Sequence, residues 1–290
     1  MERNILPCAE GDDALLAEKI NAFTTSMITG AKPAEEELIV FKVTDEDGNI
    51  IAGANLLIDG WKVAELDILC VAESYRKQGI GSALLREAER AAEKKNCSLM
   101  TLGTFDFQAR PLYEKHGFTV IATLADCPSE GHEHYDMVKR LSAASGEDVP
   151  LISCAYEIQS GSEEDADYID DRLVEYNWSK VPRVRDFAWI GRKIVGDDGR
   201  LSAGCFVGVN FWNLAFIDML WVEEDLRGQG FGLALLAQCE AELKENGVRL
   251  VIAEARDWNK GFFEKAGYTL YGTIEDAPRG HGRYLLEKRL

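Results

Sequence analysis

The chain has 290 residues, 46% of them hydrophobic, and a formal net charge of −18. That length suits two domains of ordinary size with filled cores, and the apolar content excludes a largely disordered chain. The acidic balance argues against a nucleic-acid partner, since phosphate binding needs clustered Lys and Arg, and it is compatible with a cationic ligand such as an amine.

The opening stretch MERNILPCAEGDD lacks the basic, apolar, small-residue order of a secretory leader, and no apolar run approaches the ~18 residues of a membrane span. In chain order, Asn4–Cys8 reads as a strand and Asp12–Ser26 as a helix, with Leu15, Leu16, Ile20 and Phe23 at helical spacing. Leu38–Val43 and Ile50–Ile58 flank a turn whose Gly48-Asn49 supplies positive φ. The strand Trp61–Val71 leads to a glycine loop, Arg76–Gly81, and then to a helix over Ser82–Lys95. Ser98–Thr104 is a buried strand, Arg110–His116 a short helix stopped by Gly117, and Phe118–Leu124 and His134–Leu141 close the first half. The small, polar, proline-ended segment 142–150 reads as a linker. The second half repeats the order: strand Ser153–Gln159, helix Glu163–Tyr176, a hairpin turning at Gly196–Gly199, strand Leu214–Val222, loop Arg227–Gly232, helix Leu233–Glu245, strand Val248–Glu254 and helix Asn259–Ala266. The expected fold is mixed α/β in two tandem domains, 1–141 and 151–290. Each has a mostly antiparallel sheet with one β-α-β crossover, hence one parallel strand pair, flanked by helices.

Seven cysteines are scattered without a C-x-x-C pair, the usage of reduced thiols in a cytoplasmic protein. His132 and His134 are the one close histidine pair, and no second ligand pair accompanies them, so no metal site is expected.

The duplication is explicit. Trp61, Asp67 and Gly79 are answered at constant spacing by Trp212, Asp218 and Gly230; Glu114, Lys115 and Gly117 are answered by Glu264, Lys265 and Gly267. The two loops read Arg76-Lys77-Gln78-Gly79-Ile80-Gly81 and Arg227-Gly228-Gln229-Gly230-Phe231-Gly232. A glycine loop between a strand and a helix N-terminus converges backbone N–H groups on an anion, aided by the helix dipole; a diphosphate fits that geometry, and the leading arginine can add a charge-assisted contact. The absence of Gly-Lys-Ser/Thr excludes a Walker loop, and the missing third glycine argues against a dinucleotide fingerprint.

Each half resembles a GCN5-related N-acetyltransferase (GNAT) domain through Arg-x-x-Gly-x-Gly and through Leu112-Tyr113-Glu114-Lys115-His116-Gly117-Phe118, echoed as Phe262-Phe263-Glu264-Lys265-Ala266-Gly267-Tyr268. The resemblance implies acetyl-CoA as cofactor, with its diphosphate on Arg76–Gly81 and Arg227–Gly232. Its pantetheine arm would lie where two strands splay apart, at Cys70-Val71 and Trp221-Val222, with Gln108 and Asn259 as nearby amides. It implies direct acyl transfer to a primary amine of a small molecule or antibiotic. Tyr113 would be the acid for the leaving thiolate, and Asp67 and Asp218 candidate bases. The second half has Phe263 in place of the tyrosine, so it predicts a cofactor site more firmly than an active site. In single-domain relatives the first helix lines the acceptor pocket, which points to Tyr176-Asn177 as an acceptor wall of the second half. The halves are expected to pack as an intramolecular pseudo-dimer, in a monomer or homodimer. A non-catalytic acyl-CoA-binding protein is the alternative.

Overall fold

The computed structural model describes residues 4–28, 35–141 and 155–290; the expected linker, 142–150, lies outside the described residues. The first half supplies β1 (Ile5–Pro7), α1 (Asp12–Met27), β2 (Glu37–Thr44), β3 (Ile50–Ile58), β4 (Val63–Val71), α2 (Ile80–Lys94), β5 (Leu99–Phe105), α3 (Arg110–Lys115), β6 (Thr119–Ala125) and β7 (Glu133–Arg140). The second supplies β8 (Gln159–Ser160), α4 (Glu163–Lys180), β9 (Ala188–Val195), β10 (Leu201–Val209), β11 (Leu214–Val222), α5 (Phe231–Glu245), β12 (Leu250–Arg256), α6 (Lys260–Lys265), β13 (Thr269–Ile274) and β14 (Arg283–Arg289). The mixed α/β architecture is as expected. Three local readings shift. The strand expected over Ser153–Gln159 is reduced to Gln159–Ser160, and 153–154 lie outside the described residues. Of Gly48-Asn49 only Gly48 takes positive φ, at 85°. Trp61 lies in a turn, where Asp59 Oδ1 accepts the N–H groups of Trp61 and Val63, each at 2.9 Å, so β4 starts at Val63.

Two seven-stranded sheets form, in the orders β6-β7-β5-β4-β3-β2-β8 and β1-β9-β10-β11-β12-β14-β13. The expected domain division marks the sequence repeats but not the compact units. Among the described residues, one unit joins 4–28 to 183–271 and 284–290; the other joins 35–141 and 155–182 to 272–283. The opening strand and helix of each half are exchanged: β1 pairs with β9, β8 with β2, and α4 packs on β3 and β4 while α1 packs on β10 and β11.

The exchange has a local chemistry, the same in both units. Ile169 of α4, 2% exposed, fills the space over Gly53; a Cβ there would stand 2.6 Å from Ile169 Cγ1. Leu16 of α1, fully buried, fills the matching space over Gly204. Burying such a side chain contributes roughly 1.5–3 kcal/mol. Asp165 of α4 pairs with Lys42 at 2.8 Å, and Asp12 of α1 pairs with Lys193 at 2.6 Å. Each of these aspartates also accepts a backbone N–H ahead of its helix, Ser162 at 2.7 Å and Ala9 at 2.6 Å.

Two kinds of irregularity, each present in both sheets, shape the region around the glycine loops. Parallel pairing of β4 with β5 runs only from Val63↔Leu99 to Glu65↔Thr101, and that of β11 with β12 only to Ile217↔Ala253. Beyond those points the strands part. In the β3–β4 ladder Asn55 faces Ile68 and Leu56 faces Leu66, so Asp67 is the extra residue of a β-bulge; Asp218 is the extra residue of the same bulge between β10 and β11. A bulge re-aims side chains and leaves one residue out of the ladder.

Candidate active site

The loop ahead of α2 is built by backbone conformations that its sequence permits. Gly79, with φ 85°, is the N-cap of α2, and Lys77 also takes positive φ, 62°. In the second loop Gly228 and Gly230 hold the same places with φ 74° and 88°. The first-turn amides of α2 and α5 have no partner inside their helices, which makes each loop an anion cradle. Arg76 braces its loop: Nε donates to Val71 O at 2.9 Å, and the guanidinium lies 4.6 Å over the Tyr176 ring. Gln78 donates to Ser74 O at 3.3 Å. Arg227 and Gln229 repeat these bonds to Val222 O and Asp225 O.

A cavity of about 590 Å3 opens where β4 and β5 part. It brings together most residues singled out in the first half: Asp67, Cys70, Val71, Arg76, Lys77, Gly79, Ile80, Gly81, Gln108 and Tyr113. A further wall comes from α4, through Asp170, Leu173, Val174, Tyr176 and Asn177. Those residues recur at three- and four-residue spacing, so they share one helix face. Tyr176 and Asn177 therefore wall the site that holds Tyr113, and not a site on the second sheet. The helix is anchored there: Tyr176 Oη donates to Phe107 O at 3.0 Å, and Gln108 Nε2 donates to Asn177 Oδ1 at 2.8 Å. Gln108 Oε1 in turn accepts the Phe105 N–H at 2.8 Å and the Thr104 hydroxyl at 3.0 Å.

Burial displaces the titratable groups of this cavity. Tyr113 is 7% exposed, and its hydroxyl has no hydrogen-bond partner among the described residues; burial, then the neighbouring Cys70, pushes its pKa well up. It therefore keeps its proton until a strong base forms beside it. Asp67 meets solvent through the cavity, yet the surrounding protein, and then Asp170, hold its pKa above the usual carboxylate range. His134 of β7 also lines the cavity, with its ring 5.2 Å from that of Phe105, and burial pushes it down to about 4. It is neutral at pH 7. His132 lies apart from the cavity lining and faces Asp106 at 3.1 Å. Sequence reasoning missed His134, Asp170 and the placement of α4. The helical spacing of α4 was visible, but the sheet it would cover was not.

The second set of expected site residues, Asp218, Trp221, Val222, Arg227–Gly232 and Asn259, belongs to the other unit. Trp221 stands where the first unit has Cys70; its ring meets Phe23 of α1 at 5.5 Å and lies under Arg227 at 4.7 Å. Phe263 is 3% exposed and packs edge-on against Tyr268, whose hydroxyl is committed to Glu240 at 2.9 Å. Asn259 Oδ1 accepts the Arg256 N–H at 2.6 Å. Burial raises the pKa of Asp218. Neither Phe263 nor the engaged Tyr268 replaces the free hydroxyl of Tyr113.

Among the described residues no helix is long and apolar enough to cross a membrane. A profile of the acetyltransferase (GNAT) family matches residues 13–118 and 152–268. The chain is 35% identical over 98 residues to blasticidin-S acetyltransferase of Streptomyces morookaense, covering 33% of this chain and 71% of that protein. It is similar to the crystal structure of an acetyltransferase from Bacillus cereus ATCC 14579 (30% identity, 46% of this chain, 97% of that one, TM-score 0.44). It is also similar to a tandem GNAT protein from the clavulanic acid biosynthesis pathway (19% identity, 99% of this chain, 98% of that one, TM-score 0.42).

Proposed function

Because this chain belongs to the acetyltransferase (GNAT) family and is an N-acetyltransferase, we propose that it transfers an acetyl group from acetyl-CoA to a primary amine of a small molecule, at the cavity between β4, β5 and α4. The observation that carries this reading is Tyr113, a mostly buried side chain whose hydroxyl has no protein partner among the described residues, in a cavity that continues to the loop ahead of α2.

The residues present fit acetyl-CoA. The amides of Gly79–Ser82 offer donors for a diphosphate, and Lys77 adds charge on the same loop. Past Glu65 the β4 edge is released from β5, leaving backbone groups for an extended amide-bearing arm. Acetyl-CoA supplies the activated acyl group: one amide C–N bond forms and one thioester C–S bond breaks. Asp67, directly or through water, takes the proton that the amine loses. Tyr113 Oη donates its proton to the departing sulfur and is restored from solvent. Tyr113 is protonated at neutral pH, the state a general acid needs, although burial makes it a weaker acid than a free phenol.

The second unit is proposed to hold a helix and a cofactor-type loop without the transfer chemistry. Phe263 has no proton to give, and Trp221 stands beside the position of the released strand edge. A thiol-release assay with acetyl-CoA across a panel of amines, together with calorimetric counting of CoA sites per chain, tests the reading. Acetyl transfer lowered by roughly 10²–10⁴ in Tyr113→Phe and little changed by the conservative Phe263→Leu is the expected result. Transfer that survives Tyr113→Phe at full rate refutes it.

A further inference from the structure

The cavity holds one carboxylate more than the transfer needs. Asp67 lies on the bulge of β4 and Asp170 on α4; both line the cavity and both meet solvent. Neither has a hydrogen bond or ion pair among the described residues. The nearby arginines are committed: Arg76 to Val71 O and the Tyr176 ring, Arg172 to Glu175 at 2.7 Å. Neither carboxylate is paired with a cation; the two cations of the same cavity, Arg76 and Lys77, stand on the loop ahead of α2, and each carboxylate is harder to ionise than usual. Asp67 is raised by burial and by Asp170; Asp170 is raised by burial and by Asp171 and Asp167. Independently, Tyr113, 7% exposed and unpartnered, marks the same cavity as built for a ligand. Aliphatic side chains, Ile68, Leu173 and Val174, complete the wall beside the two acids. Two unpaired carboxylates against an aliphatic wall complement a dication with a hydrocarbon spacer.

We infer that the acceptor is an aliphatic diamine or longer polyamine, one amine presented toward Tyr113 and Asp67 while a second, charged amine is held by Asp170. This deepens the acetyl-transfer reading and rests on it for the site, but its test is a binding measurement. Asp170 sets specificity, and it is supplied by the second half of the chain to a site otherwise built by the first. That gives the exchanged helix a chemical purpose beyond packing.

The experiment is calorimetry on the full chain with CoA present, titrating 1,4-diaminobutane and n-butylamine. These probes share the spacer and differ by one ammonium. Wild-type protein is expected to bind the diamine about tenfold more tightly, a difference in the range of a partly desolvated charge pair. Asp170→Asn brings the two affinities to parity, and Asp170→Lys makes butylamine the better ligand; urea unfolding curves certify that both variants fold. Equal affinities in the wild type, a preference that survives Asp170→Asn, or no binding of either amine overturns the inference. Diamine preference without acetyl transfer sustains it and overturns the transfer reading instead.

Discussion

Gly53→Ala tests the exchanged helices most directly. A Cβ at residue 53 would stand 2.6 Å from Ile169 Cγ1, closer still to its Cδ1, and 2.9 Å from Phe41 O. Carbon–carbon contacts settle near ~3.5–4.0 Å, so α4 must lift or Ile169 must change rotamer. Overpacking of this kind costs about 1–3 kcal/mol. Ile169→Ala alone leaves a void at a side chain 2% exposed and costs about 2–5 kcal/mol. In the double variant the new methyl occupies part of the void, so the sum overstates the loss by about 1–2 kcal/mol. Gly204 and Leu16 should show the same coupling on the second sheet, where a Cβ at 204 would stand 3.2 Å from Leu16 Cδ2. Urea unfolding of each single and double variant measures both cycles. Turnover provides a second readout, because lifting α4 moves Tyr176 and Asn177 from the cavity wall, and the KM for acceptor should rise in Gly53→Ala. Coupling of Gly53 with Leu16, and of Gly204 with Ile169, would refute the exchange, since each helix would then cover the sheet of its own half.

Three further outcomes are expected. Tyr113→Phe lowers kcat by roughly 10²–10⁴ at saturating acetyl-CoA with cofactor affinity unchanged, read by thiol release. Stability should also depend on His134: its folded pKa of about 4 lies below the ordinary 6.5, so protons bind first to the unfolded chain and stability is lost as pH falls from 6.5 toward 4. Relative to His134→Asn, the wild type should lose about 2–3 kcal/mol over that window; a pH-independent difference in urea unfolding free energy would show that His134 is not buried neutral. Finally, Asp67 as base predicts an acid limb of kcat/KM that moves to lower pH in Asp170→Asn, because burial still raises Asp67 but the like charge that adds to it is gone. An unmoved limb removes Asp67 from the base role.

Much of the candidate site could be read from local sequence. Arg76–Gly81 follows a strand and opens a helix, and only residues tolerant of positive φ stand at Gly79, Gly228 and Gly230. Tyr113 and its loss as Phe263 lie on a helix of six residues whose bounds are fixed by flanking turns. The bulges at Asp67 and Asp218 were not legible, because a bulge depends on what the partner strand presents and leaves no periodic trace. His134 was visible only as half of a histidine pair; its burial against Phe105 follows from the pairing of β7 with β5, a long-range contact.

By itself the sequence determined that the chain is duplicated, that each half carries a β-α-β crossover with a glycine loop, and that one half has kept a tyrosine the other has lost. Those features follow from hydrophobic period and backbone permission, which act over a few residues. Only the tertiary structure decided which helix covers which sheet. Both sheets offer the same glycine hole and the same lysine, Gly53 with Lys42 and Gly204 with Lys193, so the duplicated surfaces are nearly degenerate partners. The choice rests on contacts between distant residues: Tyr176 with Phe107 and Asn177 with Gln108 on one sheet, Phe23 with Trp221 and Arg227 on the other. Because those contacts join residues far apart along the chain, the wall of the first site comes from the second half, and no local reading of either half contains it.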